Sequence, residues 1–351
     1  VPMGFFCGIG CASKNGILVK GGNYLEMLAK ADTIVFDKTG TLTEGTFEVM
    51  GVSPEGMGER ELVEMAAKAE FYSDHPISLS IKRSHGKEID ASEIGRSEVI
   101  PGRGVRTEVG SETVHIGNLR LMNEIGIDIT EAETAGQRVH VSSGAGYHGS
   151  IEVSDTAKAD SPWTLGELKR MGIRRTVMLS GDNRRAADAV GKSLGIDHIH
   201  AELLPEDKLR ILEDVMQSSQ GSTVFVGDGI NDSPSLARAD VGVAMGGIGS
   251  DAAIEAADIV LVNDAPSGIA TALKISRKTM RVVKQNIVFA LGVKAAIILL
   301  AIVGIAGMPI AIFGDVGVSI IAILNAMRCL SVRTGIPEGL QGQINKSAAV
   351  E

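Results

Sequence analysis

Two apolar segments lie near the carboxyl end of the chain, 287–307 and 309–327, each about as long as the roughly 20 helical residues that cross a hydrocarbon core. In lipid every backbone N–H and C=O must be satisfied without water, which restricts segments of this kind to helices. The approach to the first carries Lys274, Arg277, Lys278, Arg281 and Lys284, and the exit from the second carries Arg328 and Arg333. The turn between them, Gly307-Met308-Pro309, is uncharged. Basic residues on both outer flanks place both ends on the cytoplasmic side. The region reads as a basic juxtamembrane segment (273–286), a membrane helix (287–307), a second membrane helix (309–330) and a cytoplasmic tail (331–351), with a buried soluble helical pair as the alternative.

The rest of the chain is ordinary mixed sequence. With 34 basic against 43 acidic residues the net charge is −9, and there is no aromatic-rich basic tract, so nucleic acid is not an expected partner. Three cysteines, Cys7, Cys11 and Cys329, cannot form a dense disulfide framework, which points to a reducing compartment. The start has neither a signal-peptide pattern nor an initiator methionine and reads as the interior of a longer protein. Residues 1–13 are small and apolar, like the last turns of a membrane helix too short to span alone, or like a glycine-rich soluble arm. Residues 14–32 read as a more polar cytoplasmic linker.

Three short apolar runs end in aspartate-bearing loops. Thr33–Phe36 leads into Asp37-Lys38-Thr39-Gly40-Thr41, Thr176–Leu179 into Ser180-Gly181-Asp182, and Thr223–Val226 into Gly227-Asp228-Gly229-Ile230-Asn231-Asp232. Helical stretches at 184–194 and 206–217 separate them. The pattern predicts one parallel sheet with its site at the carboxyl edge of the strands. Between Phe47 and about Gly149 the pattern changes to a helix at 58–71, a Pro101-Gly102 turn and alternating strand-like pieces at 104–109 and 138–142. We expect an independently packed insertion at 48–149, dividing the catalytic unit into 33–47 and 150–272, with hinges at its two crossings.

An aspartate on a strand-end loop can attack the terminal phosphate of a nucleotide while backbone N–H groups and Mg2+ neutralise the transferred oxygens. Asp37 is so placed, and Lys38, Thr39 and Gly40 offer a side chain and backbone donors. Asp228 and Asp232 supply hard oxygen ligands suited to Mg2+, and Lys208 supplies a cation for a phosphoryl group. Ser180, Gly181, Asp182 and Asn183 add further donors. Singly, each would more often be a solvated loop or helix-surface residue. Gly191-Lys192-Ser193 imitates the end of a Walker A loop, but Ala186 occupies the upstream glycine position and the segment reads as helix.

Taken in order, these motifs resemble the haloacid dehalogenase-like catalytic domain of P-type ATPases. The resemblance implies an α/β fold: a parallel-sheet phosphorylation domain, an inserted α+β nucleotide-binding domain and a transmembrane helical hairpin. It implies that Asp37 becomes an acyl phosphate, with Lys38 and Thr41 in the same motif, and that Thr39 and Asp228 help hold Mg2+. It further implies that Ser180, Gly181, Asp182 and Lys208 contact the phosphate and that Asn231 and Asp232 complete the metal-side network. Ser180 stands where the family commonly has threonine, and the hydroxyl is retained. Asp155 matches the aspartate at which the chain returns from the insertion.

In the insertion, His75-Pro76 places a histidine at the start of a helix, by itself more often a cap than a ligand contact. The Gly102-Arg103-Gly104 turn permits close backbone approach. With Glu70 upstream, these elements resemble the nucleotide-binding domain of the heavy-metal branch of P-type ATPases, implying that Glu70, His75, Gly102 and Gly104 contact ATP. Phosphates of a nucleotide held there would swing towards Asp37 on domain closure.

Lys294 and Asp315 interrupt the apolar segments, and charges there are costly enough to be read first as functional, with a structural pair as the alternative. Counting about 1.5 Å per residue puts Lys294 about 10 Å deep and Asp315 about 18 Å deep, within reach on an antiparallel hairpin. A lysine in the seventh membrane helix and Asp315-Val316-Gly317 in the eighth resemble the zinc-, cadmium- and lead-exporting subfamily. This implies that Asp315 binds the transported Zn2+, Cd2+ or Pb2+ with Lys294 as charge partner. Asn325 reads as packing or capping. The same resemblance makes residues 1–13 the end of the sixth membrane helix and expects the actuator domain and earlier membrane helices upstream. Cys7 and Cys11 lack the Cys-Pro-Cys pattern and are read as packing thiols.

The expected parent is therefore a multi-pass protein of a bacterial inner or plasma membrane, its catalytic domains cytoplasmic, whose partners are ATP, the bilayer, a divalent heavy-metal ion and the rest of the same chain. A copper exporter is opposed by Lys294 and Asp315. A superfamily phosphatase is opposed by the absence of a second aspartate two residues after Asp37, and a nonenzymatic membrane anchor would fail to bind ATP.

Overall fold

The computed structural model describes residues 1–129, 137–144, 146–228, 232–246, 251–304, 307–332 and 334–347. Contacts divide them into two compact units: Val1–Leu42 with Lys158–Gly181 and Leu194–Glu351, and Thr43–Ala157 with Asp182–Ser193. The expected insertion at 48–149 thus lies inside a unit whose main segment is wider at both ends. The reason is that its first and last strands, Thr43–Pro54 and Gly146–Ala157, pair antiparallel from Thr43↔Ala157 to Pro54↔Gly149, with two register shifts on the way.

The first unit is built on a seven-stranded sheet in the spatial order Ile17–Val19, Ile259–Leu261, Val241–Met245, Ser222–Gly227, Ala31–Asp37, Arg175–Leu179 and His198–His200. All neighbours are parallel except the first pair. Strand Ala31–Asp37, interior to the sheet, is an apolar run, and Ile34, Val35 and Phe36 are fully buried. Phe36 lies opposite Val226 and Asp37 opposite Leu179. That register brings the loops after Asp37, Gly227 and Leu179 to one edge.

The second unit is a six-stranded antiparallel sheet in the order Thr43–Pro54, Gly146–Ala157, Gln137–Ser143, Glu112–Gly117, Gly104–Val109 and Ile94–Ile100. Helices Glu59–Ala69 and Pro76–His85 contribute Leu62, Ala66 and Ile81 to a core shared with Ile116, Val141 and Ile151. Alternation of buried and exposed residues along Gly104–Val109 is what a sheet covered on one face requires.

The sequence pattern separated a basic segment at 273–286 from a helix at 287–307, but one unbroken helix runs from Ser267 to Ile302. The change in composition marks a change of surroundings and not of backbone. Its first half is buried against the sheet unit: Asp160 Oδ2 accepts the Ser267 N–H at 2.7 Å, and Lys274 Nζ lies 2.8 Å from Glu167 Oε1 and 5.6 Å from the Trp163 ring. Its second half exposes Leu291, Leu299 and Ile302. With Met308–Leu330 it makes up two membrane-spanning helices among the described residues of this membrane protein. Asn286 donates to Ala322 O at 2.9 Å, and Asn325 donates to Asn286 Oδ1 at 2.8 Å, a polar clasp between the helices. Helix Pro2–Lys14 approaches the long helix through Gly4 and Gly8, where added methyl groups would lie 2.7 Å from Val283 Cγ2 and 2.5 Å from Thr279 Oγ1. Cys7, Cys11 and Cys329 are free thiols, all buried.

Gly104 faces Gly117 across two strands, and a Cβ on it would lie 2.0 Å from Ile116 O. Gly104→Ala is expected to cost about 2 kcal/mol or more of stability in urea unfolding, because backbone cannot yield as a side-chain tip can. Gly166→Ala, on an exposed helix face with open space around it, should instead gain about 0.5–1 kcal/mol.

Candidate functional site

Strand Ala31–Asp37 ends in a tight turn, Lys38–Leu42, that departs from helical geometry at Thr39 and Gly40. Gly40 has φ +70°, and a Cβ there would sit 2.8 Å from Asp228 Oδ2. The glycine thus allows the Asp37 and Asp228 loops to approach. Lys38 and Thr41 are buried, and the Thr41 hydroxyl finds no hydrogen-bond partner among the described residues.

Lys208, near the start of helix Pro205–Ser218, projects between two carboxylates. Its Nζ donates to Asp37 Oδ1 at 2.6 Å and to Asp232 Oδ1 at 3.0 Å, and all three side chains are at most 12% exposed. Burial and the neighbouring Asp232 push the Asp37 carboxyl up to about 7, with Lys208 acting against them and Asp228 adding to the rise. Burial would lower the Lys208 ammonium, but Asp37 and Asp232 more than offset it and the lysine is held above its ordinary value. Such a site is short of positive charge.

The neighbouring loop is tied down by its backbone: the Ser180 N–H donates to His200 O at 2.9 Å and its carbonyl accepts from Leu203 N–H at 3.1 Å. Ser180 is buried at the same sheet edge. Asp182 begins the segment grouped with the second unit, and Asn183 Oδ1 accepts the Ala186 N–H at 2.8 Å as a helix cap. Gly191-Lys192-Ser193 is helical as expected. Asn231 lies outside the described residues.

Lys158 is a buried lysine that the sequence reading did not single out. Its Nζ donates to Gly40 O at 3.1 Å, to Asp264 O at 2.8 Å and to Asp264 Oδ2 at 2.6 Å. It joins the Asp37 loop to the residues just before the long helix. Asp155 accepts from Thr43 Oγ1 at 2.5 Å within the second unit.

The carboxylates suit Mg2+. Among the described residues no three His, Cys, Asp or Glu side chains converge as a ready-made metal cage. Mg2+ keeps several waters and takes only one or two protein carboxylates, and the raised Asp37 carboxyl beside Asp228 marks a place where added positive charge is favourable.

In the second unit, Glu70, His75, Gly102 and Gly104 line one pocket of about 390 Å³. Ser78 Oγ donates to Glu70 Oε2 at 2.8 Å, and His75 Nδ1 accepts the Ile77 N–H at 3.3 Å, capping helix Pro76–His85. Burial raises the Glu70 carboxyl, against the hydrogen bonds from Ser78 and Ser73. The turn is held by Asn118, which donates to Gly102 O at 3.0 Å and caps the next helix; its capping position was the only sequence signal. Val99 and Val139 add apolar wall. Between the membrane helices, Lys294 Nζ lies 3.4 Å from Asp315 Oδ1.

Residues 31–240 match the family model described as haloacid dehalogenase-like hydrolase. The chain is 49% identical over 336 residues to a cadmium, zinc and cobalt-transporting ATPase of Bacillus subtilis, covering 95% of this chain and 48% of that protein. It is also 49% identical over 330 residues to a zinc-transporting ATPase of Synechocystis, covering 93% and 46%. The crystal structure of a zinc-transporting PIB-type ATPase in the E2.Pi state superposes with TM-score 0.81 at 33% identity, over 94% of this chain and 55% of that one. The chain belongs to the haloacid dehalogenase-like family and, within it, to the heavy-metal P-type ATPases, the P1B class. It spans about half the length of the curated relatives it matches.

Lys208→Gln removes the cation between Asp37 and Asp232. A carboxyl raised to about 7 from an unfolded value of 3.8 binds more protons when folded, so its contribution to stability falls as pH rises through that window. Without Lys208 the penalty deepens wherever both carboxylates are charged. The variant should lose about 3 kcal/mol near pH 8 and less near pH 5, where a proton replaces the lysine, as read from urea midpoints at the two pH values.

Proposed function

We propose that this chain supplies the ATP-binding and phosphoryl-transfer parts of an ATP-driven exporter of Zn2+ or Cd2+, with Pb2+ as a further substrate, working through an aspartyl phosphate at Asp37. The observation that carries the reading is the buried Asp37–Lys208–Asp232 bridge at the carboxyl edge of the sheet.

Lys208 holds Oδ1 of Asp37 and leaves the other carboxylate oxygen to attack the γ-phosphorus of ATP. The new bond joins that oxygen to phosphorus, the bond to the bridging oxygen breaks, and ADP leaves with the electron pair. Because its carboxylate neighbours keep Lys208 protonated, it can share its charge with the transferred phosphoryl oxygens. Asp37 and Asp228, with Thr39, would hold Mg2+, which when bound neutralises carboxylate and phosphate oxygens together. Ser180 and Gly181 offer further donors to the phosphate; Asp182, Asn231 and Asp232 are assigned to the same network from the motif pattern.

The pocket of Glu70, His75, Gly102 and Gly104 is assigned to the nucleotide. Its apolar walls suit a flat base, and its glycine turn admits close backbone approach. Asp315 is assigned to the transported ion with Lys294 as its counter-charge, a pair that gives the divalent cation a carboxylate and leaves the lysine to neutralise it after release. The whole protein is assigned to a bacterial inner or plasma membrane with its catalytic domains in the cytoplasm, and the upstream portion to the remaining membrane helices and the actuator.

Two measurements test these assignments. Incubated with labelled ATP and Mg2+ in membranes, the chain should form a hydroxylamine-sensitive phosphoprotein that Asp37→Asn abolishes; intact ATP binding with no label would remove Asp37 as nucleophile in this chain. His75→Ala should weaken ATP binding about tenfold in calorimetry, a loss of about 1.4 kcal/mol, beyond the roughly 0.5–1 kcal/mol of stability lost with the helix cap, which the unfolding midpoint reads separately. Unchanged affinity would move the nucleotide elsewhere.

A further inference from the structure

A cleft of about 670 Å³ lies where the long helix leaves the sheet unit, between that helix and helix Gly22–Ala29. Four basic side chains line it, Lys30, Arg277, Arg281 and Lys284, against one carboxylate, Glu26. Two of the cations are already engaged. Lys30 pairs with Glu26 at 2.8 Å, and the Arg277 guanidinium donates to Met171 O and, at 3.3 Å, to Ala31 O. Arg281 and Lys284 are exposed and form no ion pair or hydrogen bond with any described residue.

The cleft changes character along the helix. Arg277, Arg281, Lys284 and Val288 recur at helical spacing on one face, and Val288 and Phe289, 70% and 40% exposed, form the wall on the membrane side. Arg281 and Val288 are separated by about 10 Å along the axis. The cationic end thus lies at the level of headgroups and the apolar end at the level of acyl chains. A free phosphate or nucleotide would use only the first. The chain as a whole carries −9, so attraction of an anion to this place is local and not a property of the net charge.

We propose that this cleft binds an anionic phospholipid of the cytoplasmic leaflet, its phosphate headgroup between Arg281 and Lys284 and its acyl chain along Val288 and Phe289. Juxtamembrane cations gain most from an anionic headgroup where they have no protein partner, and among the described residues these two have none. The proposal uses the membrane-spanning assignment of helix Ser267–Ile302 and is independent of the phosphorylation chemistry. Bound there, a lipid would tie the Gly22–Ala29 helix to the point at which the long helix enters the bilayer.

The test uses the purified chain in neutral detergent, equilibrated with phosphatidylglycerol or phosphatidylcholine of the same acyl length, with lipid retention read by native mass spectrometry. The unsubstituted chain should retain phosphatidylglycerol in preference. R281Q/K284Q should lose that preference by about tenfold or more, from the two charges removed. K14Q/K87Q removes the same charge outside the cleft and should keep the preference. Equal retention of both lipids, equal loss in the two double variants, or full preference in R281Q/K284Q would overturn the proposal. Displacement of phosphatidylglycerol by millimolar inorganic phosphate would also overturn it, by making the cleft a small-anion site.

Discussion

A single ammonium group between two buried carboxylates is the constraint on which the rest of the sheet unit depends. Asp37, Lys208 and Asp232 come from a strand end, a helix start and the loop region after a second strand, so the bridge exists only when all three elements are in register. Burial, and then a second carboxylate sharing the one lysine, drive the Asp37 carboxyl up to about 7. The interior holds the Asp37 carboxyl in a state that additional positive charge improves. That is the electrostatic condition for recruiting a divalent cation together with an anionic phosphate, because neither alone neutralises the other's burden.

Around that bridge the fold uses parallel pairing to solve a placement problem. Phe36 opposite Val226 and Asp37 opposite Leu179 mean that the chain can deliver three loops to one edge without any of them being long. Lys158 extends the arrangement by holding the Gly40 carbonyl and Asp264 at once, so the Asp37 turn shares a buried cation with the residues that precede the membrane helix. The antiparallel unit has different needs. Its pocket relies on a backbone turn held by Asn118 and on a carboxyl, Glu70, whose hydrogen bonds from serine make its burial tolerable.

Much of this was legible in the sequence, for physical reasons that differ by element. Strands buried on both faces are short uninterrupted apolar runs, so Thr33–Phe36, Thr176–Leu179 and Thr223–Val226 stood out, and the structure extends each by only one to three residues. Asp37 and Lys208 stand out as a strand-end carboxylate and a lysine suited to a phosphoryl group, and the resemblance to a known family adds their roles. Their shared hydrogen bond joins positions 171 apart, which no local pattern reveals. Lys158 was missed for the same reason: a lone lysine after Asp155 looks like surface until the fold buries it. The single helix from Ser267 was divided at 286/287 because side-chain character follows the surroundings, whereas the backbone continues through the change. The ends of the insertion were set too narrow because a composition shift does not mark where two long strands begin to pair.

That unbroken helix has a mechanical consequence. Its amino end is fastened to the sheet unit at Ser267 by Asp160 and at Lys274 by Glu167, and Lys294 sits about 30 Å beyond the second fastening along the same rod, facing Asp315. A rotation of about 5° about that fastening would carry Lys294 through about 2.6 Å, most of its present separation from the carboxylate. A tilt imposed at the sheet end would be carried into the bilayer along one rod, and the Asn286 clasp would pass it to the second membrane helix as well, the long helix serving as the arm of a lever.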